Sequence, residues 1–324
     1  MQYRILGKTG LKVSAVGFGG IPIQRIDARG TRALMERLVE KGVNYIDTAR
    51  GYTVSESYLG EALSGGLREK FILATKSMSR GYADMARDIG ISLSNLRTDY
   101  IDLYQLHNIK SDADFELAFS AEGAVAAIQD AIRAGKVGHL GATAHSVDSF
   151  ERLLSYPEIE TIMFPYNIVE SQGEALMERA AAQNVGVIAM KPLAGGNITD
   201  GTLAMRYILQ NKTCTLAIPG MATLEEIEQN TAAAEQDGPL TPEELAACEA
   251  IRAGLSGAGA DTVRRVRWAS ISRVSSRWKT ISSITIWRTG PDRATSLRRQ
   301  GRGTASAAVS ARSAALTSCP SVKS

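Results

Sequence analysis

The chain has 324 residues, 37 of them Lys or Arg and 34 Asp or Glu, for a formal net charge of +3. That length can bury a sizeable core as one large domain or two ordinary ones, and a near-neutral total argues against a dedicated nucleic-acid or membrane binder. The total averages two unlike pieces: residues 1–260 hold 24 bases and 32 acids (−8), whereas 261–324 hold 13 bases and only Asp261 and Asp292 as acids (+11).

In chain order, Tyr3–Leu6 and Leu11–Val13 flank Gly7-Lys8-Thr9-Gly10, a hairpin pattern. Short, almost continuously apolar runs follow at Ser14–Gly17, Val43–Asp47, Phe71–Lys76, Ile101–His107, Val137–Ala142, Thr161–Tyr166, Val185–Lys191 and Thr215–Ile218. Such runs fit parallel strands covered on both faces. Amphipathic stretches lie between them: Thr31–Lys41, Met85–Leu96, Ala124–Ala134, Gly173–Gln183 and Thr202–Gln210. In the first, Leu34, Met35 and Leu38 share one helical face and Arg32, Glu36 and Glu40 another. Thr223–Glu226 and Thr241–Glu244 have the spacing of capping boxes. Eight strand-plus-helix repeats in roughly 250 residues have the rhythm of a (β/α)8 TIM barrel, with the hairpin placed to plug its floor. A doubly wound sheet is the alternative, weakened because no strand leads into GxGxxG.

Barrel chemistry sits where strands end. Strand two closes on Asp47 and runs into Tyr52, strand three on Lys76 and strand four on His107, so four complementary side chains converge on one rim. Taken singly, each has an ordinary explanation: a solvated rim lysine, a turn-capping Asp, a loop-packing Tyr, a core His. Together they suit one task. Tyrosine ionises near pH 10 and is a poor acid at neutrality. A buried Lys76 cation beside Tyr52 is expected to lower its pKa, with Asp47 holding the lysine charged and His107 bonding a substrate oxygen. Such a site suits protonation of an oxygen that gains negative charge, as a carbonyl does on receiving hydride.

The segments Val16-Gly17-Phe18-Gly19-Gly20, Tyr45-Ile46-Asp47-Thr48-Ala49-Arg50-Gly51-Tyr52 with Ser55-Glu56, Ala74-Thr75-Lys76 and Asp102-Leu103-Tyr104-Gln105-Leu106-His107 resemble the aldo-keto reductase family. The likeness extends to about residue 255. It implies a catalytic tetrad of Asp47, Tyr52, Lys76 and His107, with Tyr52 as general acid. It also implies hydride from NADPH or NADH lying across the barrel mouth, and a small-molecule carbonyl substrate. Cofactor positions carried over by the same likeness are Gly19 and Gly20; Tyr166, as a ring stacking on nicotinamide, with Asn167; and Lys191, Pro192, Leu193 and Gly195 in a loop over the pyrophosphate. Ile218, Gly220, Glu226 and Asn230 fall at the adenosine end, and His145 neighbours the nicotinamide amide. NADPH-specific relatives carry a base just after the strand-eight turn; Met221–Glu226 has none, which puts a preference for NADPH in doubt. A non-catalytic, nucleotide-binding regulatory barrel is the competing reading, and the intact tetrad favours catalysis. Specificity is expected from the loop Asn108–Glu122, the loop after Lys191 and the segment after the last helix.

Three scattered cysteines, Cys214, Cys248 and Cys319, offer neither a metal-ligand spacing nor a disulfide framework. Met1–Gly10 lacks a signal-peptide core and no run reaches the ~18 apolar residues of a membrane span, so a cytoplasmic protein is expected. The matching subgroup continues into a ferredoxin-like domain with iron–sulfur cysteines. Here residues 258–324 are Ala/Arg/Ser/Val-rich, and the genetic code offers a reason. When each codon is rebuilt from the last base of one residue and the first two of the next, Cys is permitted at Ala305, Ala308, Ala311 and Ala315, with Pro following. That is C-x2-C-x2-C-x3-C-P, a bacterial iron–sulfur run. Ala260, Val263 and Val266 permit a second cluster in the same frame. The segment reads as an out-of-frame remnant without order and without a cluster as written. The rival is a basic tail that binds nucleic acid, for which three Trp outside any aromatic-interleaved fold are a poor basis.

Overall fold

The structure is a computed structural model that describes residues 1–236 and 238–257. The expectations placed on residues 258–324, an out-of-frame iron–sulfur domain and a tail without order, lie outside the described residues. An antiparallel hairpin, β1 (Tyr3–Ile5) and β2 (Lys12–Ser14), opens the chain. Eight parallel strands follow: β3 (Phe18–Gly19), β4 (Tyr45–Asp47), β5 (Ile72–Ser77), β6 (Ile101–Leu106), β7 (Val137–Thr143), β8 (Thr161–Pro165), β9 (Gly186–Met190) and β10 (Leu216–Ala217). Each of the eight pairs with its neighbour in chain order. The helices are α1 (Ala28–Glu40), α2 (Ser55–Ala62), α3 (Tyr82–Leu96), α4 (Asp112–Ala118), α5 (Ala124–Arg133), α6 (Val147–Leu153), α7 (Glu174–Ala182), α8 (Gly201–Gln210), α9 (Leu224–Ala232) and α10 (Pro242–Gly257).

The barrel closes along a seam between its first and last strands. Val16 pairs with Ala217 and Gly19 with Gly220, through Gly17 N donating to Ala217 O at 2.8 Å and Gly19 N to Pro219 O at 2.8 Å. This shifts the first strand from its predicted place: pairing with β4 falls on Phe18–Gly19, beyond Ser14–Gly17. The backbone at 15–17 serves the seam instead.

Alternation sorts the strand residues between two cores. Inward-facing Tyr45, Ala74, Leu103, Met163, Ile188 and Leu216 pack with Leu6 and Val13 of the hairpin, so the hairpin plugs the barrel. Outward-facing Ile46, Leu73, Tyr104, Ile162 and Val187 meet the helices. The plug fits because Gly7, at φ +54°, has no side chain: a Cβ there would lie 2.2 Å from Gly186 N. Lys8 N donates to Asn184 O at 2.7 Å and Arg4 spans Cys214 O and Leu209 O, which ties the plug to the feet of β9 and β10.

Local signals account for the helices. Asp27 caps α1, accepting from Gly30 N at 2.7 Å. The predicted box at Thr223–Glu226 is formed at α9, and at α10 Glu244 N donates to Thr241 Oγ1 while Thr241 N donates to Glu244 Oε2. Among the described residues no helix is long and apolar enough to cross a membrane.

Candidate active site

The site forms at the C-terminal ends of β4, β5 and β6. The register Tyr45↔Ile72 and Asp47↔Ala74 places Lys76 one inward position above Ala74, beside Asp47. Both are 2 % exposed. Lys76 Nζ donates to Asp47 Oδ2, and to Thr48 O at 2.8 Å. The other carboxylate oxygen accepts from Gln105 Nε2 at 3.1 Å. Lys76 Nζ lies 4.8 Å from the Tyr52 ring centroid. The Tyr52 and His107 rings meet edge to face, their centroids 6.0 Å apart and their planes at 88°. The four side chains predicted to converge are therefore together.

Their electrostatics follow from burial against pairing. Burial opposes the Lys76 ammonium, but Asp47 and Tyr52 outweigh it and hold the lysine protonated with a raised pKa. Burial pushes the Asp47 carboxyl up, against the pull of Lys76 and Gln105. Tyr52 corrects the expectation: its pKa lies above 10, because burial raises it, Asp47 adds to the rise, and Lys76 offsets only part. Lys76 still favours the phenolate, but burial of the ring outweighs it. For His107, burial, then Lys76, His145 and Arg80, pull the pKa well below 6.5. It is a neutral imidazole at pH 7, with one N–H to donate. Its Nδ1 is buried without a hydrogen-bond partner among the described residues.

The cofactor positions divide. His145 is half-buried in the loop after β7 and near enough to His107 to act on its charge. Gly19 and Gly20 end β3, with N–H groups engaged to Pro219 O and Asp47 O at 2.8 Å each. Close packing alone requires them, since a Cβ would meet Ile218 O and Asp47 O at 2.9 Å. Lys191 has φ +57° and Gly195 φ +71°; with buried Pro192 and half-buried Leu193 they form the loop after β9. Ile218 packs on the inner core and Gly220 on Pro22.

Tyr166 is not at the mouth. It continues the outward set of Ile162 and Phe164, its hydroxyl donates to Glu174 Oε1 at 2.7 Å, and its ring lies 5.9 Å from that of Tyr207. A stacking role is corrected by the two-residue period of β8. The inward residue at the corresponding height is Met190, half-buried against the inner core at the end of β9. Asn167 is fully buried and spent on the protein: Nδ2 donates to Lys191 O and Glu170 Oε2, and Oδ1 accepts from the N–H groups of Val169 and Glu170. It shapes the loop instead of facing a ligand. Glu226 is likewise engaged, accepting from Ala222 N at 2.6 Å and Thr223 N at 3.2 Å. Asn230 donates to Glu226 O, while its Oδ1 is buried without a partner among the described residues.

Two inward residues, Gln105 and Met190, stand within family-like segments of the sequence but are not among the candidate site residues there. A polar residue at an inward position of an otherwise apolar strand was the available signal for Gln105. Met190 carried none, since an apolar residue in a buried strand looks like core.

Comparison with known proteins agrees with this geometry. A model of the Aldo/keto reductase family matches residues 15–202. An L-galactose dehydrogenase of Arabidopsis thaliana is 28% identical over 286 residues, covering 72% of this chain and 88% of that protein. Aldo-keto reductase YhdN of Bacillus subtilis is 26% identical, covering 65% and 67%. The solved holo form of aldo-keto reductase AKR11C1 from Bacillus halodurans superposes with a TM-score of 0.67 at 26% identity, covering 78% of this chain and 96% of that one. With more than half its length matched and its barrel shared with a solved member, the chain belongs to the aldo/keto reductase family of NAD(P)H-dependent enzymes.

Proposed function

We propose that the protein reduces an aldehyde or ketone to an alcohol, with Tyr52 as the general acid. The carrying observation is the buried Asp47–Lys76 pair beneath Tyr52, edge-on to a neutral His107. When bound, the nicotinamide supplies the hydride. Tyr52 Oη gives its proton to the substrate oxygen as charge develops there. Lys76 lies close enough to stabilise the phenolate left behind, and Asp47 keeps that lysine protonated. His107 has an N–H to donate to the same oxygen, which fixes the angle of the carbonyl. A phenol with a raised pKa stays protonated at neutrality, as an acid in waiting must. The apolar inner face of Met190 and the unpartnered Asn230 Oδ1 suit the nicotinamide face and the amino group of adenine respectively.

The same residues favour NADH over NADPH. Glu226 places a carboxylate at the start of α9, and Met221–Glu226 has no base to pair a 2′-phosphate. Two buried free cysteines, Cys214 and Cys248, suit a reducing cytoplasm. The decisive test is Tyr52→Phe, assayed by nicotinamide absorbance with a panel of aldehydes and ketones, and in the oxidative direction with sugars because of the dehydrogenase relative. The variant should bind cofactor normally and lose roughly 10²- to 10⁴-fold in kcat. An undiminished rate would overturn the assigned acid.

A further inference from the structure

The first turn of α2, just after the loop that presents Tyr52, carries a buried carboxylate the reaction does not use. Glu56 is 2 % exposed and accepts four hydrogen bonds: from Arg50 Nη1 at 2.8 Å, Thr75 Oγ1 at 2.9 Å, Ser92 Oγ at 2.7 Å and Asn95 Nδ2 at 3.1 Å. Arg50 also lies 3.9 Å from Asp88, which in turn accepts from Ser77 Oγ and Ser79 Oγ. Arg50 and Glu56 thus bracket Tyr52 in sequence and close the loop upon itself. The closed loop is pinned to the outward face of β5 through Thr75 and to α3 through Ser92, Asn95 and Asp88. Lys76 is on β5 between Thr75 and Ser77. The element that positions the ammonium is therefore the one to which the tyrosine loop is fastened.

The loop has reason to need fastening. Thr53, next to Tyr52, has φ +40°, a conformation β-branched residues rarely adopt and one that persists only where its surroundings over-determine it. Its hydroxyl is bonded to Gln24 on the exposed side. A second, neutral closure lies lower in the loop: Thr48 Oγ1 is 2.8 Å from Ser55 Oγ, which donates to Gly20 O at 2.9 Å. It holds the base of the loop, whereas the ionic pair spans the tyrosine itself. A buried carboxylate with a full set of donors is a rigid anchor, because each lost partner leaves charge uncompensated.

We propose that Arg50 and Glu56 are positioning residues: an ionic staple that holds the Tyr52 hydroxyl toward Lys76 and His107. The inference rests on the function proposed above, and its test separates the two. Glu56→Gln keeps the shape and can still accept from Thr75 and Ser92. Arg50→Met removes the other half of the staple from a half-buried position and spares the carboxylate's remaining donors. Arg68→Ala, which breaks an ion pair with Asp102 at the far end of the barrel, serves as the control. Hydrogen exchange followed by mass spectrometry should show segment 49–58 exchanging about tenfold faster in both staple variants and unchanged in the control. In steady-state assays kcat should fall roughly 10- to 100-fold in the staple variants with KM for the cofactor unaltered. Unchanged exchange in segment 49–58 overturns the staple whatever the rates. Accelerated exchange in the staple variants of a protein whose wild type reduces no carbonyl supports the staple and defeats the proposed reaction.

Discussion

Burial shifts Tyr52, Asp47 and His107 toward their neutral forms, whereas Lys76 is held charged by Asp47 and Tyr52 against it. The shift of His107 has a stability consequence near neutral pH. Its folded pKa is depressed by burial and by Lys76, while the unfolded chain titrates near 6.5. Between those two values the unfolded state binds a proton that the native state refuses, so native stability rises with pH across the window. The contribution is whole above about pH 6.5 and is lost as pH falls below it. Urea titrations at pH 5.0 and 7.5 should therefore show a larger drop at the lower pH for wild type than for His107→Gln. Equal drops would mean that the imidazole is not buried as described.

At the scale of elements, the two-residue period of a strand exposes polar inward residues but leaves apolar ones undivided. Asp47, Lys76 and His107 were legible because each is polar at the end of an apolar run, where alternation and barrel geometry both point inward. Tyr166 cannot be placed from composition because all of 162–166 is apolar, so nothing there separates inward from outward residues. Only the register of β8 puts Met163 inside and Tyr166 outside. Glu56 stands in a recognisable motif, yet its four partners come from β5, α3 and the loop before α2, and such convergence is invisible in one dimension. The hairpin was read correctly as a plug, and its energetic weight can be measured. Leu6 is fully buried in the inner core, so Leu6→Ala should cost about 2–5 kcal/mol in chemical denaturation. Turnover per folded molecule should be unchanged, since the reacting groups lie at the opposite end. A cost under about 1 kcal/mol would mean that the plug collapses without penalty.

For the molecule as a whole, the +3 total conceals an acidic body of −8 over residues 1–260. On the proposed reading, which puts Glu226 at the adenosine end, an acidic body offers no attraction to the additional phosphate of NADPH, and its repulsion is screened by salt. Fluorescence titrations between low salt and about 0.3 M, where the screening length falls to several ångströms, should find NADPH binding level or tightening relative to NADH. A steep relative weakening of NADPH would reveal a phosphate clamp and contradict the preference. The seam of the barrel has a consequence for how such a chain is made. Arg4 is bonded to the carbonyls of Leu209 and Cys214, Gly7 lies against Gly186, and Val16 and Gly19 pair with Ala217 and Gly220. The hairpin thus leaves a ribosome some 200 residues ahead of its partners near position 220. Until that stretch emerges the hairpin has no floor to seal, and the nascent strands stand as an open sheet with a bare edge. A bare edge therefore persists through synthesis until the closing strand is present.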